Sequence, residues 1–184
     1  MKSLLLILLL SVSPILVGQN LVPNPSFEDT VQCPEGDNLV NYATGWNNFS
    51  DESPDYYNGC SSSYVSVPNN WAGYQPAATG NAYCAVSTFY PSIPNGREII
   101  GRDLSEPLNI NSKYFVSFKV NLSLDITLQS NYACNNIGAL FSTIPFSFSS
   151  PAPISNFAHV YSPDIITDTL NWTLIFGSFI ADSN

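Results

Sequence analysis

The chain has 184 residues, of which 45% are hydrophobic, 13% aromatic and only 10% charged, with a formal net charge of −9 at pH 7. Binding to a phosphate backbone needs clustered basic side chains, and the five Lys and Arg residues here are scattered, which argues against nucleic acid as a partner. With so few charges, the solvated surface must be built largely from Asn, Ser, Thr and Tyr, as in many secreted binding or structural modules.

Residues 1–18 are typical of a secretory signal peptide. Lys2 precedes an apolar run over 4–10, and Gly18 is a candidate cleavage site. Serine and proline residues interrupt the run before it is long enough to span a membrane, and no later segment is long and apolar enough either. About 165 residues remain, which predicts one exported domain over 19–184.

Several short strands are predicted after the signal peptide, and none of the segments has sustained helical periodicity. The candidate strands are 45–49, 80–89, 98–104, 116–122, 136–142 and 170–181. The clearest is 116–122, where apolar and polar residues alternate with the period of two expected of a half-buried strand. Short strands separated by Gly- and Pro-rich turns predict an all-β fold with low helix content, either a sandwich or a jelly roll.

The centre of the chain is predicted to be an antiparallel pair. Its first arm is 98–104 and its second is 116–122, and Pro107 ends the first arm because proline has no amide hydrogen. Asn109 and Asn111 supply the turn between the arms.

Four cysteines in an exported chain permit disulfides, and three full pairings are possible. Cys33 and Cys60 both lie in polar, Gly- and Pro-rich segments, which favours a bridge between them. Cys84 lies in an apolar, strand-like run. It is either a buried free thiol or the partner of Cys134.

Catalytic signatures are weak. His159 is the only histidine, no Gly-x-Ser-x-Gly motif is present, and the GDSL-like block at 36–39 has Asn38 where a nucleophilic serine would stand. Pairs of carboxylates suited to glycoside hydrolysis can be chosen from Glu28, Asp55, Glu98 and Asp103, but any acidic protein offers such pairs. The sequence therefore favours a protein that is not an enzyme.

Aromatic residues are dense in the loop-rich region between Trp46 and Tyr74. Aromatic rings can stack on the apolar faces of sugar rings while polar side chains bond the hydroxyl groups, although Tyr and Trp are also ordinary core residues of β-sandwiches. The side chains predicted to contact a ligand are Tyr56, Tyr57, Trp71, Tyr74 and Arg97.

A set of motifs in fixed order resembles a family of domains. The motifs include NLVPNPSFE, NYATGW, PDYYNGC, TGNAY, KYFVSF, NNIGALFS and TDTLNWTLIFGSFIA. They resemble the N-terminal domain of secreted or surface proteins of Bacteroidota, which precedes an outer-membrane-protein-A-like domain or a gliding-motility or type IX sorting domain. The opening motif also resembles the first strand of galactose-binding-like jelly rolls, the fold of many carbohydrate-binding modules.

The resemblance implies further properties. A glutamate at the position of Glu28 often helps to hold a structural Ca²⁺ in such modules, and the family continues into a further strand, so a C-terminally truncated jelly roll is expected here. The sequence and the resemblance together predict a secreted or cell-surface module that binds glycan or cell-envelope polysaccharide. The alternative is a structural or adhesion spacer that binds no small ligand.

Overall fold

The computed structural model describes residues 18–94, 96–124, 132–143 and 158–183. The predicted signal peptide lies outside these ranges except for its last residue. Apart from one 3-10 turn at Val40–Tyr42, the regular structure of the described residues is entirely β-strand, which confirms the predicted all-β class and low helix content. No helix within these ranges is long and apolar enough to cross a membrane.

Ten strands in the described ranges form five antiparallel two-stranded sheets. In chain order they are β1 (Asn47–Asn48), β2 (Asp55–Asn58), β3 (Asn69–Asn70), β4 (Gly73–Tyr74), β5 (Ala82–Ala85), β6 (Ile100–Gly101), β7 (Lys113–Val120), β8 (Gly138–Ala139), β9 (Val160–Tyr161) and β10 (Thr173–Ile180). The sheets pair β1 with β6, β2 with β5, β3 with β4, β7 with β10 and β8 with β9. The predicted strands near β1, β5, β8 and β10 are therefore confirmed, each shorter than predicted.

The longest of these sheets is a ribbon of β7 and β10. The two strands pair along eight residues, from Thr173 opposite Val120 to Ile180 opposite Lys113. Exposed and half-buried residues alternate strictly along β7, as its apolar and polar pattern predicts. The ribbon thus has one inner face and one outer face.

The predicted pairing of 98–104 with 116–122 is wrong. β7 pairs with β10 along its whole length, and β6 pairs with β1 instead. The backbone after β6 also bonds to the N-terminal segment, since the Ser105 amide donates to the Leu21 carbonyl at 2.9 Å. An eight-residue strand completes its hydrogen bonds only with a partner of similar length, and β10 provides that length whereas the two-residue β6 does not.

The sheet of β2 and β5 lies at the centre of the core. All four residues of β2 and the first two of β5 are buried. The ring of Tyr83 packs edge-on against Tyr57, with centroids 5.2 Å apart, and against Trp172 at 5.5 Å. Trp172 immediately precedes β10 and donates its Nε1–H to the Pro76 carbonyl at 2.9 Å. This residue therefore joins the ribbon to the core.

Candidate ligand-binding surface

Two of the five predicted ligand contacts, Tyr56 and Tyr57, are core residues. Their side chains are 0% and 1% exposed. The Tyr56 hydroxyl donates to the Phe27 carbonyl at 2.7 Å, and the Tyr57 hydroxyl donates to Asp55 Oδ2 at 3.2 Å. Desolvation raises the pKa of both phenols. This corrects the prediction, because a strand covered on both faces offers neither ring to a ligand.

Trp71 lies at the turn of the hairpin that β3 and β4 form, and it is only partly buried. Its indole packs against the core cluster that contains Tyr57, Val65 and Tyr83. The Trp71 amide donates to the Tyr64 carbonyl at 2.8 Å, which fixes the hairpin to the preceding loop. The buried part of the Trp71 side chain therefore supports the hairpin, and the rest of the side chain is accessible to solvent.

Tyr74 is the most exposed of the predicted contacts, with 67% of its surface accessible, and Tyr64 beside the hairpin is 52% exposed. Sequence reasoning did not select Tyr64, because nothing in its local pattern separates an exposed tyrosine from a buried one. Between these residues, Asn69 is exposed, whereas the Asn70 side chain is engaged by Tyr83 and Ala72. We call Tyr64, Asn69, Trp71 and Tyr74 the hairpin surface.

Arg97 lies on a different segment from the hairpin surface and is partly buried. The next residue, Glu98, accepts hydrogen bonds from the Ser87 amide at 2.7 Å, the Tyr90 hydroxyl at 2.7 Å and the Ser53 amide at 3.2 Å. These bonds fasten the Arg97 segment to the loops around 53 and 87. The backbone at Arg97 is therefore positioned by those loops, and the hairpin surface is defined without this residue.

Asp55 and Glu98 are buried carboxylates, 7% and 9% exposed. Asp55 Oδ1 accepts a hydrogen bond from the Asn38 amide at 2.7 Å, in addition to the bond from Tyr57. Desolvation raises the pKa of each carboxyl, and the hydrogen bonds partly oppose that rise. Enclosure and full hydrogen bonding are the marks of structural acids, so these two residues do not form an open catalytic pair of the kind considered from the sequence.

The Trp71 indole lies near this acidic cluster. Its buried Nε1–H makes no hydrogen bond of acceptable geometry, although it is close enough to help lower the pKa of Asp55 against the larger effect of desolvation. The other two tryptophans use this group, since Trp46 Nε1 donates to the Asn24 carbonyl at 3.0 Å and Trp172 donates to Pro76. Trp71 therefore differs from the other two tryptophans, because its indole N–H has no hydrogen-bond partner among the described residues.

Glu28, predicted as a calcium ligand, receives two backbone hydrogen bonds. Its Oε1 accepts from the Asn81 amide at 2.9 Å and from the Ala82 amide at 3.0 Å. Gly80, with φ of +65°, makes this possible, because a Cβ at that position would overlap the Glu28 carboxylate. The carboxylate thus connects the N-terminal segment to the start of β5.

One carboxylate alone does not make a calcium site. Calcium takes six to eight oxygen ligands, usually with several carboxylates. Among the described residues, no group of three or more His, Cys, Asp and Glu side chains is placed to hold a metal. A single carboxylate that already accepts two amide hydrogens is suited to a structural role, as the acceptor that holds two chain segments together.

The cysteines divide into one bridge and two thiols. Cys33 and Cys60 form the predicted disulfide, with their Cα atoms 5.9 Å apart. Cys84 and Cys134 are free, which decides between the two alternatives left open by the sequence. Burial raises the pKa of the Cys84 thiol well above its usual value, so this partly buried residue behaves as a small apolar group packed against the core.

His159 is exposed and contacts neighbouring aromatic residues. Its Nδ1 accepts a hydrogen bond from the Phe141 amide at 3.1 Å, and its ring lies 4.7 Å from that of Phe179. The imidazole is thus packed beside the inner face of the ribbon.

Comparisons of this chain with family models, with curated proteins and with solved structures found no match.

Proposed function

We propose that this chain is an exported, non-catalytic binding module whose ligand is a glycan, in the class of cell-envelope polysaccharides. The observation that supports the proposal best is the hairpin surface, where Tyr64 and Tyr74 are exposed and Trp71 is partly exposed. A tyrosine presents an apolar face for a sugar ring and a hydroxyl for its polar edge.

The hairpin surface is supported by buried residues and a backbone hydrogen bond, which suits the binding of a ligand. Trp71 packs on a core cluster in which Val65 is 0% exposed, and the Gln75 amide closes the hairpin through a bond to the Pro68 carbonyl at 2.8 Å. Exposed rings on a fixed support lose little conformational entropy when a ligand binds. Asn69 adds an amide within the same hairpin.

The location of the protein is part of the same proposal. A disulfide between Cys33 and Cys60 fits an oxidising compartment outside the cytoplasm. The family resemblance also supports export and a galactose-binding-like jelly roll, of which the five small antiparallel sheets would be parts.

A second candidate is a structural or adhesion spacer, and one observation favours it. Phe115 and Phe176 on the outer face of the ribbon are 81% and 74% exposed. Large exposed apolar side chains that lie together commonly mark contacts with other protein surfaces. The spacer hypothesis places the working surface on the ribbon, and the glycan hypothesis places it on the hairpin.

The experiment is equilibrium binding of the purified chain to a panel of immobilised bacterial-envelope and plant polysaccharides. The Tyr74→Ala and Tyr64→Ala variants should each lose at least about tenfold in affinity, which corresponds to about 1.4 kcal/mol. Tyr161→Ala is the matched control, because Tyr161 is 46% exposed and lies on β9. Equal losses in all three variants, or no binding to any member of the panel, would contradict the proposal.

A further inference from the structure

One edge of β10 carries backbone groups that no described residue satisfies. The Ala181 amide donates to the Ser112 carbonyl at 3.0 Å, and the Ala181 carbonyl accepts from the Asn111 amide at 2.8 Å, so Ala181 faces β7. Alternate residues of a strand face the same way. Thr173, Ile175, Gly177 and Phe179 therefore bond β7, while the amides and carbonyls of Leu174, Phe176, Ser178 and Ile180 point away from it.

A groove of about 360 Å³ runs along the first half of this edge. One wall is β10 over residues 173–176, and the other is the segment 161–168. Residues from both faces of β10 line the groove, which places it at the edge of the strand rather than over one face. Four residues of a strand span about 13 Å, so the groove has the length of a short extended peptide.

The lining of the groove indicates what fits it. Leu174 and Phe176 are 52% and 74% exposed, and Ile165 in the opposite wall is 59% exposed. Asp164 and Asp168 supply two carboxylates, and none of the described residues that line the groove is Lys, Arg or His. Hydrogen bonds from the Asn171 and Leu170 amides hold the pKa of Asp168 below its usual value, so that carboxylate is charged at neutral pH.

We propose that this edge of β10 binds an extended strand of another protein, one with apolar residues at alternate positions and a basic residue that reaches Asp164 or Asp168. The guest strand bonds the backbone of Leu174 and Phe176, in the manner of strand addition to an open sheet edge. Its alternate side chains contact the apolar groups of the two walls.

A second copy of this chain fits the edge less well. β10 itself contains no Lys or Arg to meet the two carboxylates, and each copy carries a net charge of −9. The segment 161–168 also lies beside the edge, so the guest must be a single narrow strand. These features favour a basic extended peptide over self-association.

The test uses a fluorescein-labelled, capped heptapeptide, Lys-Thr-Val-Thr-Val-Thr-Lys, titrated with the purified chain and followed by fluorescence anisotropy. We expect saturable binding, weakened at least about tenfold when alternate peptide nitrogens are methylated, since methylation removes the donors that reach β10. Replacing both lysines of the peptide by glutamate should weaken binding by a similar factor. Binding that is indifferent to methylation, or no binding at millimolar protein, would overturn the proposal.

Two proline variants test which edge of the ribbon binds the peptide. Phe176→Pro removes an amide that faces the groove, while Ser117→Pro removes the amide of the residue paired with Phe176, which faces the opposite edge of the ribbon. The first change should abolish peptide binding and the second should leave it intact. If Phe176→Pro does not fold, Asp164→Lys replaces it, and this variant should prefer the glutamate peptide over the lysine peptide.

Two further outcomes separate this proposal from its competitors. A dimer that forms without peptide and is lost in Phe176→Pro would identify a second copy as the occupant and would overturn the proposal. Tyr74→Ala should leave peptide binding unchanged and Tyr161→Ala, in the groove wall, should weaken it, the reverse of their effects on glycan.

Discussion

Replacement of Asp55 tests the reasoning about buried carboxylates. In Asp55→Ala, the Tyr57 hydroxyl and the Asn38 amide both lose their acceptor. A hydrogen bond to a charged group contributes about 1.5 to 3 kcal/mol, and the relief of a buried charge offsets part of the loss. We therefore expect the free energy of unfolding at pH 7 to fall by about 2 to 4 kcal/mol.

Asp55→Asn is the matched variant. Its amide oxygen keeps the bond from Asn38, and the Tyr57 hydroxyl can turn to accept from the new NH₂ group. The shape is retained and the buried charge is gone, so the free energy of unfolding at pH 7 should lie within about 1 kcal/mol of the native chain or above it.

Burial of Asp55 also makes the free energy of unfolding depend on pH in a definite direction. Burial raises the pKa of Asp55 in the folded protein, so the folded state holds a proton more tightly than the unfolded state, whose pKa is about 3.9. This contribution to stability is full below about pH 4 and is lost as pH rises through the folded pKa. Asp55→Asn should therefore gain stability relative to the native chain over that window.

The assay is urea denaturation between pH 3 and pH 8, followed by tryptophan fluorescence, with the slope on urea compared among the three proteins. Two results would refute the reasoning. One is an Asp55→Asn variant that is as unstable as Asp55→Ala. The other is a stability difference between Asp55→Asn and the native chain that does not change with pH or that changes in the opposite direction.

Three further predictions use the same assay. Replacing both cysteines of the disulfide by serine should lower the free energy of unfolding by about 3 to 4 kcal/mol, because the bridge closes a loop with a sequence separation of 27; a loss below about 1 kcal/mol would contradict this. Trp172→Phe should cost about 0.5 to 1.5 kcal/mol more than Trp71→Phe, because the Trp172 indole donates a hydrogen bond to Pro76 and the buried Trp71 Nε1–H has no hydrogen-bond partner in the described part of the chain; an equal cost would show that this bond is not the cause. Gly80→Ala should cost about 3 kcal/mol through its positive φ and the displaced carboxylate beside it. Gly36→Ala, whose Cβ meets only the Tyr64 hydroxyl at 3.6 Å, is the control and should be near neutral.

The sequence predicted the two longest strands and missed several shorter ones. β7 and β10 combine length with β-branched and aromatic residues, and both were expected. β2 was not, because Asp55 to Asn58 are all buried and the segment lies among Pro, Gly and Asn residues that are typical of turns. The partner of β7 was also mistaken, since strand pairing depends on contacts between distant segments that no local pattern records.

Two residues of the hairpin surface were selected from the sequence, and the selection rested on residue type alone. Tyr74 and Trp71 were selected on residue type, and the hairpin brings them together. Tyr56 and Tyr57 were selected on the same ground, yet their rings lie in the core. Aromatic density in a sequence does not distinguish a ring that faces solvent from one that faces a neighbouring strand, because that choice is made by the tertiary fold.

The most direct test of the glycan proposal is the thermal unfolding midpoint of the purified chain, measured with each polysaccharide of the panel. A ligand that binds only the folded state raises the midpoint by mass action. We predict that one class of polysaccharide raises the midpoint of the native chain and of Tyr161→Ala but not that of Tyr74→Ala. A midpoint that no polysaccharide changes, or one that rises equally in Tyr74→Ala, would contradict the assignment of glycan binding to the hairpin surface.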